Sequence, residues 1–251
     1  RKAFIHRPVG KGVPAKPTSQ QKRTRHRLCM AGSVPYGILQ EVRQMKKVIT
    51  IGREFGSGGR EIGRRIAEKL QIAYYDQEIV TEIAKRTKLS EEYVERITED
   101  RPYIAYPVHA GMSFHTAYYA YTEFDRSLTV FAEQHNIIKE LAERSDCVIV
   151  GRCADYILKE KDPFRIFVYA DAESKLKRCR ERSPEDENLS DTKIRRNIRS
   201  IDKGRARYYN YFSRQKWGAR ENYDLLINTS GKDVKQLSEA VADYLKRYLF
   251  D

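Results

Sequence analysis

An α/β protein built on a five-stranded parallel sheet is predicted by three features of this sequence. Five short apolar runs alternate with stretches of helical periodicity, the pattern of strand–helix–strand units. The runs carry no polar face, as strands covered by helices on both sides do not. The residues of strongest chemical character follow directly after the runs, at the carboxyl ends of the strands, where open parallel sheets hold ligands.

The first run, Val48–Gly52, opens into Gly52-Arg53-Glu54-Phe55-Gly56-Ser57-Gly58-Gly59-Arg60-Glu61-Ile62-Gly63. Five of the chain's 14 glycines fall within these 12 residues, so the clustering is a feature of this turn. A helix leaves the turn, with Ile62, Ile66 and Leu70 on one face and Gly63 placed for close packing on the sheet. Glycines let backbone N–H groups approach phosphate oxygens, and the helix start adds unsatisfied donors and a positive dipole end. The turn departs from the strict phosphate-loop pattern G-x-x-x-x-G-K-[ST]. Gly59 stands at the lysine position and Arg60 follows it.

The remaining elements read in order. Ile72–Tyr75 is a second strand ending at Asp76, followed by helices over Glu78–Lys85 and Ser90–Thr98, the latter capped by Ser90. Residues 101–125 are aromatic and irregular: Tyr103, Tyr106, Phe114, Tyr118, Tyr119, Tyr121 and Phe124 accompany Pro102, Pro107 and Gly111. Such rings suit stacking on a base; packing of a loop onto the domain is the plainer reading. A helix over Asp125–Arg144 shows an apolar stripe of Leu128, Phe131, Ala132, His135, Ile138, Leu141 and Ala142, which makes His135 a packing residue. Cys147–Gly151 is a third strand with Arg152 at its end, and Phe164–Ala170 a fourth. A charged helix over Glu173–Arg182 breaks at 183–188, and a basic helix spans Asp191–Tyr209. Tyr223–Asn228 is the fifth strand, and Lys232–Tyr248 the final helix.

Composition excludes several classes. No run approaches the roughly 18 apolar residues of a membrane span. Cys29, Cys147, Cys153 and Cys179 are scattered without a C-x-x-C pair, which argues against a metal cluster or disulfide framework and for a reducing, cytoplasmic setting. The net charge of +13 is uneven: residues 1–44 hold ten Lys or Arg and one acid, whereas 45–251 hold 38 basic and 34 acidic residues. The body is only mildly basic, so overall charge gives no case for a nucleic-acid partner. Residues 1–44 read as a basic, disordered leader. The cluster Lys22-Arg23-Thr24-Arg25-His26-Arg27 suits a targeting signal or a nucleic-acid contact; the plainer expectation is a segment outside the working protein, since Met45 immediately precedes the first strand.

Four segments together resemble the cytidylate kinase-like family, a branch of the P-loop nucleoside monophosphate kinases. They are Ile49–Gly63, Tyr74-Tyr75-Asp76, Val148–Leu158 and Tyr223–Ser230, in matching order and spacing across 45–251. The resemblance implies a three-layer α/β/α P-loop fold with a helical nucleoside-monophosphate-binding insert at about 77–145 and a lid at about 188–218. It implies transfer of the ATP γ-phosphoryl group to CMP or dCMP with Mg²⁺, small-molecule nucleotides as partners and no metal ligand assigned in the protein. By position, Gly56, Ser57, Gly58 and Gly59 wrap the ATP phosphates, with Arg60 and Glu61 at the helix start. Asp76 faces the acceptor, and Arg152 holds its phosphate. Asp202, Lys203, Arg205 and Arg207 belong to an Asp/Arg-rich lid, so that Arg60, Arg152, Arg205 and Arg207 are the candidate catalytic cations. Forked guanidinium donors suit phosphate oxygens.

Two departures from the family pattern stand out. Gly59 removes the loop lysine, and no hydroxyl follows it to meet Mg²⁺. Gly151-Arg152-Cys153 replaces Gly-Arg-Asp, with Asp155 available two residues on. These departures keep open a nucleotide-binding protein without kinase activity and a kinase for another small acceptor. A chain starting at Met45 is expected to fold and bind nucleotide as the full chain does; loss of nucleotide binding on removal of 1–44 would contradict that expectation.

Overall fold

The computed structural model describes residues 46–100, 114–182 and 189–250. The expectations for residues 1–44, for Tyr103 and Tyr106, and for the break at 183–188 lie outside that range.

The five strands are β1 (Val48–Arg53), β2 (Ala73–Tyr75), β3 (Cys147–Val150), β4 (Phe164–Tyr169) and β5 (Leu225–Asn228). They form one parallel sheet in the order β2-β3-β1-β4-β5. β1 therefore lies at the centre, with Ile51 opposite Val150 on one side and Ile166 on the other. Helices α1 (Gly59–Leu70) and α8 (Val234–Leu249) cover one face, where Ile62, Ile66, Val241 and Leu245 pack on Ile49, Ile51 and Ile166. The other face is covered by α2 (Gln77–Thr87), α4 (Phe114–Arg144) and the four-residue α5 (Ala154–Ile157), with Ile79, Ile83, Ile138 and Ile157 against Cys147 and Ile149. This is the three-layer α/β/α arrangement expected from the alternation of strands and helices.

The insert and lid positions are helical. α2 is followed by α3 (Glu91–Glu95), whose Ser90 cap accepts a hydrogen bond from the Tyr93 N–H. The expected continuation of that helix to Thr98 is instead a π-helical turn, Arg96–Asp100. Such wide turns favour functional positions because they re-aim side chains. α6 (Ala172–Arg182) and α7 (Asp191–Ser213) join through Leu176, Ile194 and Ile198, with Phe55 against them.

Two expectations for α4 need correction. The helix begins at Phe114, eleven residues before the expected start at Asp125. The breaking residues Pro102, Pro107 and Gly111 all precede Phe114, and the aromatic residues that follow can continue a helix. The buried stripe is also rotated. Leu128 is 41% exposed, whereas Glu123, Ser127 and Gln134 are buried beside Val130, Ile137 and Ile138. Apolarity misplaced the stripe because these polar side chains are hydrogen-bonded inside: Glu123 accepts from the Tyr93 hydroxyl at 2.8 Å, and Gln134 donates to the Arg152 carbonyl at 2.8 Å.

Gly63 sits where α1 meets the sheet. A methyl group there would lie 3.0 Å from both Ile51 Cδ1 and Val150 Cγ2. Gly63→Val is expected to destabilise the fold by at least about 1–3 kcal/mol. Arg64→Ala, one residue on but exposed, is expected to change stability by less than about 0.5 kcal/mol. Urea melts of the two variants compare these values directly.

Candidate phosphate and acceptor site

The glycine turn is held open from outside. Gly56 and Gly58 have φ of +74° and +84°, in the left-handed region that a side chain disfavours. Gly58 caps α1 without a side-chain hydrogen bond, and the Gly59 N–H donates to the Ser57 hydroxyl at 3.4 Å. Ser57 is fully buried; its hydroxyl donates to the Glu54 carbonyl at 2.7 Å, so it shapes the loop. Thr229 Oγ1, just past β5, donates to the Ser57 carbonyl at 2.8 Å. From α6, Arg178 donates to the Gly56 carbonyl at 3.2 Å and to the Thr229 carbonyl at 2.5 Å. Lys175 is buried between Glu54 at 2.9 Å and Asp202 at 2.7 Å, and Asp202 also accepts from the Phe55 N–H at 2.6 Å. A cleft of about 280 Å³ lies against the turn, bordered by Gly56, Gly58, Gly59, Arg60, Arg178 and Arg205.

A second group gathers beside this cleft. Glu99, on the π-helical turn, meets three guanidinium groups. Arg53 Nη2 lies 2.6 Å from Oε1, Arg152 Nη2 3.1 Å from Oε1, and Arg205 Nη2 2.5 Å from Oε2. Asp76 Oδ1 is 3.7 Å from Arg53 Nη2. Burial opposes ionisation of Glu99, yet Arg53, Arg152 and Arg205 outweigh it and hold the carboxyl well below its ordinary range. Burial likewise opposes the charge on Arg53, and Glu99 and Asp76 outweigh it to hold its pKa above the ordinary value. For Arg205, burial and the neighbouring Arg53 prevail over Glu99, and its pKa falls below the ordinary value.

With Arg53, Arg60, Arg152 and Arg205 against Glu99, Asp76 and Asp155, the group keeps one excess positive charge around a small cavity of about 30 Å³. Buried Arg152 Nε and Nη2, Arg205 Nε and Asp76 Oδ1 have no hydrogen-bond partner among the described residues, although Arg152 Nη2 is ion-paired to Glu99 and Asp76 Oδ1 to Arg53. Unpartnered guanidinium N–H groups under excess positive charge suit an oxyanion.

The backbone aims Arg152 into this cavity. Gly151, Arg152 and Cys153 have φ of +73°, +58° and +54°, a left-handed turn closing β3. The two non-glycine residues cost roughly 1–2 kcal/mol each. The Arg152 side chain donates to Thr98 Oγ1 and its carbonyl accepts from Gln134, so neighbouring elements fix the strained turn.

The sequence-predicted residues separate into groups. Gly56, Ser57, Gly58 and Gly59 form the turn. Arg60 is half exposed and pairs with Asp76 at 2.5 Å, while Glu61 pairs with Arg65 at 3.0 Å and Arg182 at 2.6 Å. Asp76, Arg152 and Arg205 reach the Glu99 group. Asp155 borders the same cavity and accepts from the Tyr209 hydroxyl at 2.7 Å; burial raises its pKa above the ordinary value. On α7, Asp202 and Arg205 face inward, whereas Lys203 and Arg207 are exposed on the outer side. Sequence reasoning missed Arg53, Glu99, Lys175 and Arg178. A cation ending the central apolar strand was a readable signal for Arg53. Nothing distinguished Glu99 from the acids around it.

A magnesium ion has no protein-built cage here: among the described residues no cluster of three His, Cys, Asp or Glu side chains could hold a metal. The donors present fit a metal carried by nucleotide phosphates, with Asp76 Oδ1 the carboxylate oxygen beside the arginines. Among the described residues no helix is long and apolar enough to cross a membrane.

Glu99→Gln is expected to lower stability at neutral pH by about 3–5 kcal/mol, because it leaves buried guanidinium groups uncompensated. The folded carboxyl titrates below its unfolded value, so its contribution is fully present above the ordinary glutamate range and lost as pH falls through the folded pKa. Urea melts at neutral and acid pH are expected to show the gap between wild type and variant narrowing on acidification.

The chain is similar to several known proteins. The model of the cytidylate kinase-like family matches residues 48–231. An uncharacterized protein from Eubacterium ventriosum is 26% identical, with a TM-score of 0.57 over 80% of this chain and 99% of that one. A shikimate kinase from Bacteroides thetaiotaomicron is 16% identical, with a TM-score of 0.48 over 81% and 98% of the two chains. A shikimate kinase from Acinetobacter baumannii, solved with shikimate, is 16% identical, with a TM-score of 0.47 over 83% and 97%. No curated protein sequence matches this chain.

Proposed function

The chain belongs to the cytidylate kinase-like family, and we propose that it is a nucleoside monophosphate kinase transferring the γ-phosphoryl group of ATP to CMP or dCMP. The observation that carries this reading is the convergence of buried Arg53, Arg152 and Arg205, with donors of Arg152 and Arg205 lacking hydrogen-bond partners among the described residues, beside a glycine turn at the end of the central strand.

Phosphoryl transfer asks for alignment of two phosphates and neutralisation of their charge, with little covalent help from the protein. The donor phosphates lie on the N–H groups of Gly56–Arg60, under Arg178. The acceptor phosphate lies on the free donors of Arg152 and Arg205. An acceptor phosphate oxygen then forms a bond to the γ-phosphorus as the bond from that phosphorus to the β–γ bridging oxygen breaks, and ADP leaves. Mg²⁺ carried on the ATP phosphates would supply neutralisation of their charge, with Asp76 the carboxylate available to it. Asp76 orients the acceptor and holds Arg60 at the rim. Glu99 keeps the arginines charged and aimed before substrate arrives, which lowers the reorganisation needed at the reacting step.

A coupled assay of ADP release over a panel of nucleoside monophosphates with ATP and Mg²⁺ tests the proposal. Turnover stimulated by CMP or dCMP above the purine monophosphates is the expected result. Nucleotide binding without stimulation by any acceptor would reduce the protein to a binding module, and turnover with a non-nucleotide acceptor alone would move the substrate assignment.

A further inference from the structure

The phosphate-loop pattern lacks its lysine, and several cations stand close enough to be considered in its place. Lys175 is committed to two carboxylates, Glu54 and Asp202. Arg178 donates to two backbone carbonyls of the turn and its surroundings. Arg60 is displaced by one position and pairs with Asp76 at the open rim, its side chain 53% exposed.

Arg53 is also paired, with Glu99 at 2.6 Å and Asp76 at 3.7 Å, but its place in the pattern sets it apart. Aligned on the pattern G-x-x-x-x-G-K, Gly59 falls on the lysine, Gly58 on the second glycine and Arg53 on the first glycine. The glycine and the cation at the two ends of the pattern have changed places. The packing shows the same exchange. A Cβ atom built on Gly59 would lie 2.5 Å from Arg53 Cβ and 3.2 Å from its Cγ, so the start of a lysine stem at 59 is occupied by the stem of Arg53. The guanidinium then passes over Gly151, where a Cβ would fall 1.5 Å from Arg53 Nη1. Glycine at both 59 and 151 is thus the space through which this side chain runs from the central strand. It ends between the glycine turn and Arg152, bordering both the cleft against the turn and the Glu99 cavity.

We propose that Arg53 supplies the cation that the phosphate loop's lysine would otherwise provide, reaching the terminal phosphates of a bound nucleoside triphosphate through the gap left by Gly59 and Gly151. The assignment rests on the kinase reading for its substrate, but its binding component stands without turnover. Glu99 is the resting partner of Arg53 at 2.6 Å, and the incoming phosphate shares or replaces it. A lysine at 59 and an arginine at 53 exclude one another sterically, so the two arrangements are alternatives.

Calorimetric titration of the full chain with a non-hydrolysable ATP analogue and with AMP tests the assignment. Arg53→Met is expected to weaken the triphosphate analogue about 10- to 100-fold, the range for losing a charged hydrogen-bonding partner, and to leave AMP nearly unchanged. Arg53→Met also strips Glu99 of a partner, so Arg53→Met/Glu99→Gln is titrated beside it, with thermal melts to show that each is folded. Gly59→Lys alone is expected to disrupt the turn. Arg53→Gly/Gly59→Lys, which removes the Cβ at 53 that crowds a Cβ at 59 and restores the ordinary arrangement, is expected to recover most of the triphosphate affinity. Wild-type affinity in a folded Arg53→Met chain, or no triphosphate binding by the wild type, would overturn the assignment. Selective loss in Arg53→Met supports it even if no acceptor is phosphorylated, an outcome that would defeat the kinase reading alone.

Discussion

The site depends on one carboxylate surrounded by three guanidinium groups. Arg53 comes from the central strand, Arg152 from the strained turn after β3, and Arg205 from α7, while Glu99 belongs to the π-helical turn between α3 and α4. Four separate parts of the chain therefore meet at one charge. Brought together without an anion, the arginines would repel one another where water cannot screen them. With Glu99 in place they are held together and charged, while Arg152 Nε and Arg205 Nε keep no hydrogen-bond partner among the described residues. In the proposed function the same contact that stabilises the fold readies the arginines for an oxyanion.

Around this centre, small residues define where cations can lie. Gly59 and Gly151 leave the path for Arg53, and Gly56 and Gly58 give the turn its positive φ. The loop is then clamped by Thr229, Arg178 and the Lys175–Glu54–Asp202 group. A loop that in the standard pattern carries its own cation here receives positive charge from its neighbours. Lys175 and Arg178 lie on α6 and Arg205 on α7, so the charge around the loop depends on how these two helices pack.

Much of the fold was legible because strand and helix patterns are set by local periodicity. β1, the glycine turn, Asp76 and Arg152 all sit at strand ends, where topology leaves few alternatives. The failures share a cause. The stripe on α4 was misread because Glu123 and Gln134 are buried with partners far away in sequence, Tyr93 and Arg152, and Ser127 is buried with its hydroxyl bonded to the Glu123 carbonyl one turn back. Glu99 was missed because three arginines 46, 53 and 106 residues away give it meaning, and no local pattern holds them. The outward direction of Lys203 and Arg207 followed from the facing of α7, which charge alone does not reveal.

The central claim is that the arginine at the end of β1 is the triphosphate-sensing cation of this loop. Arginine Nε–H resonances of the full chain, assigned by substitution and followed during titration, report each guanidinium separately. The account predicts that the Arg53 signal shifts with a non-hydrolysable ATP analogue and not with AMP, while Arg152 responds when CMP is added. An Arg53 signal unmoved by the analogue, with Arg60 or Arg178 shifting in its place, would contradict it.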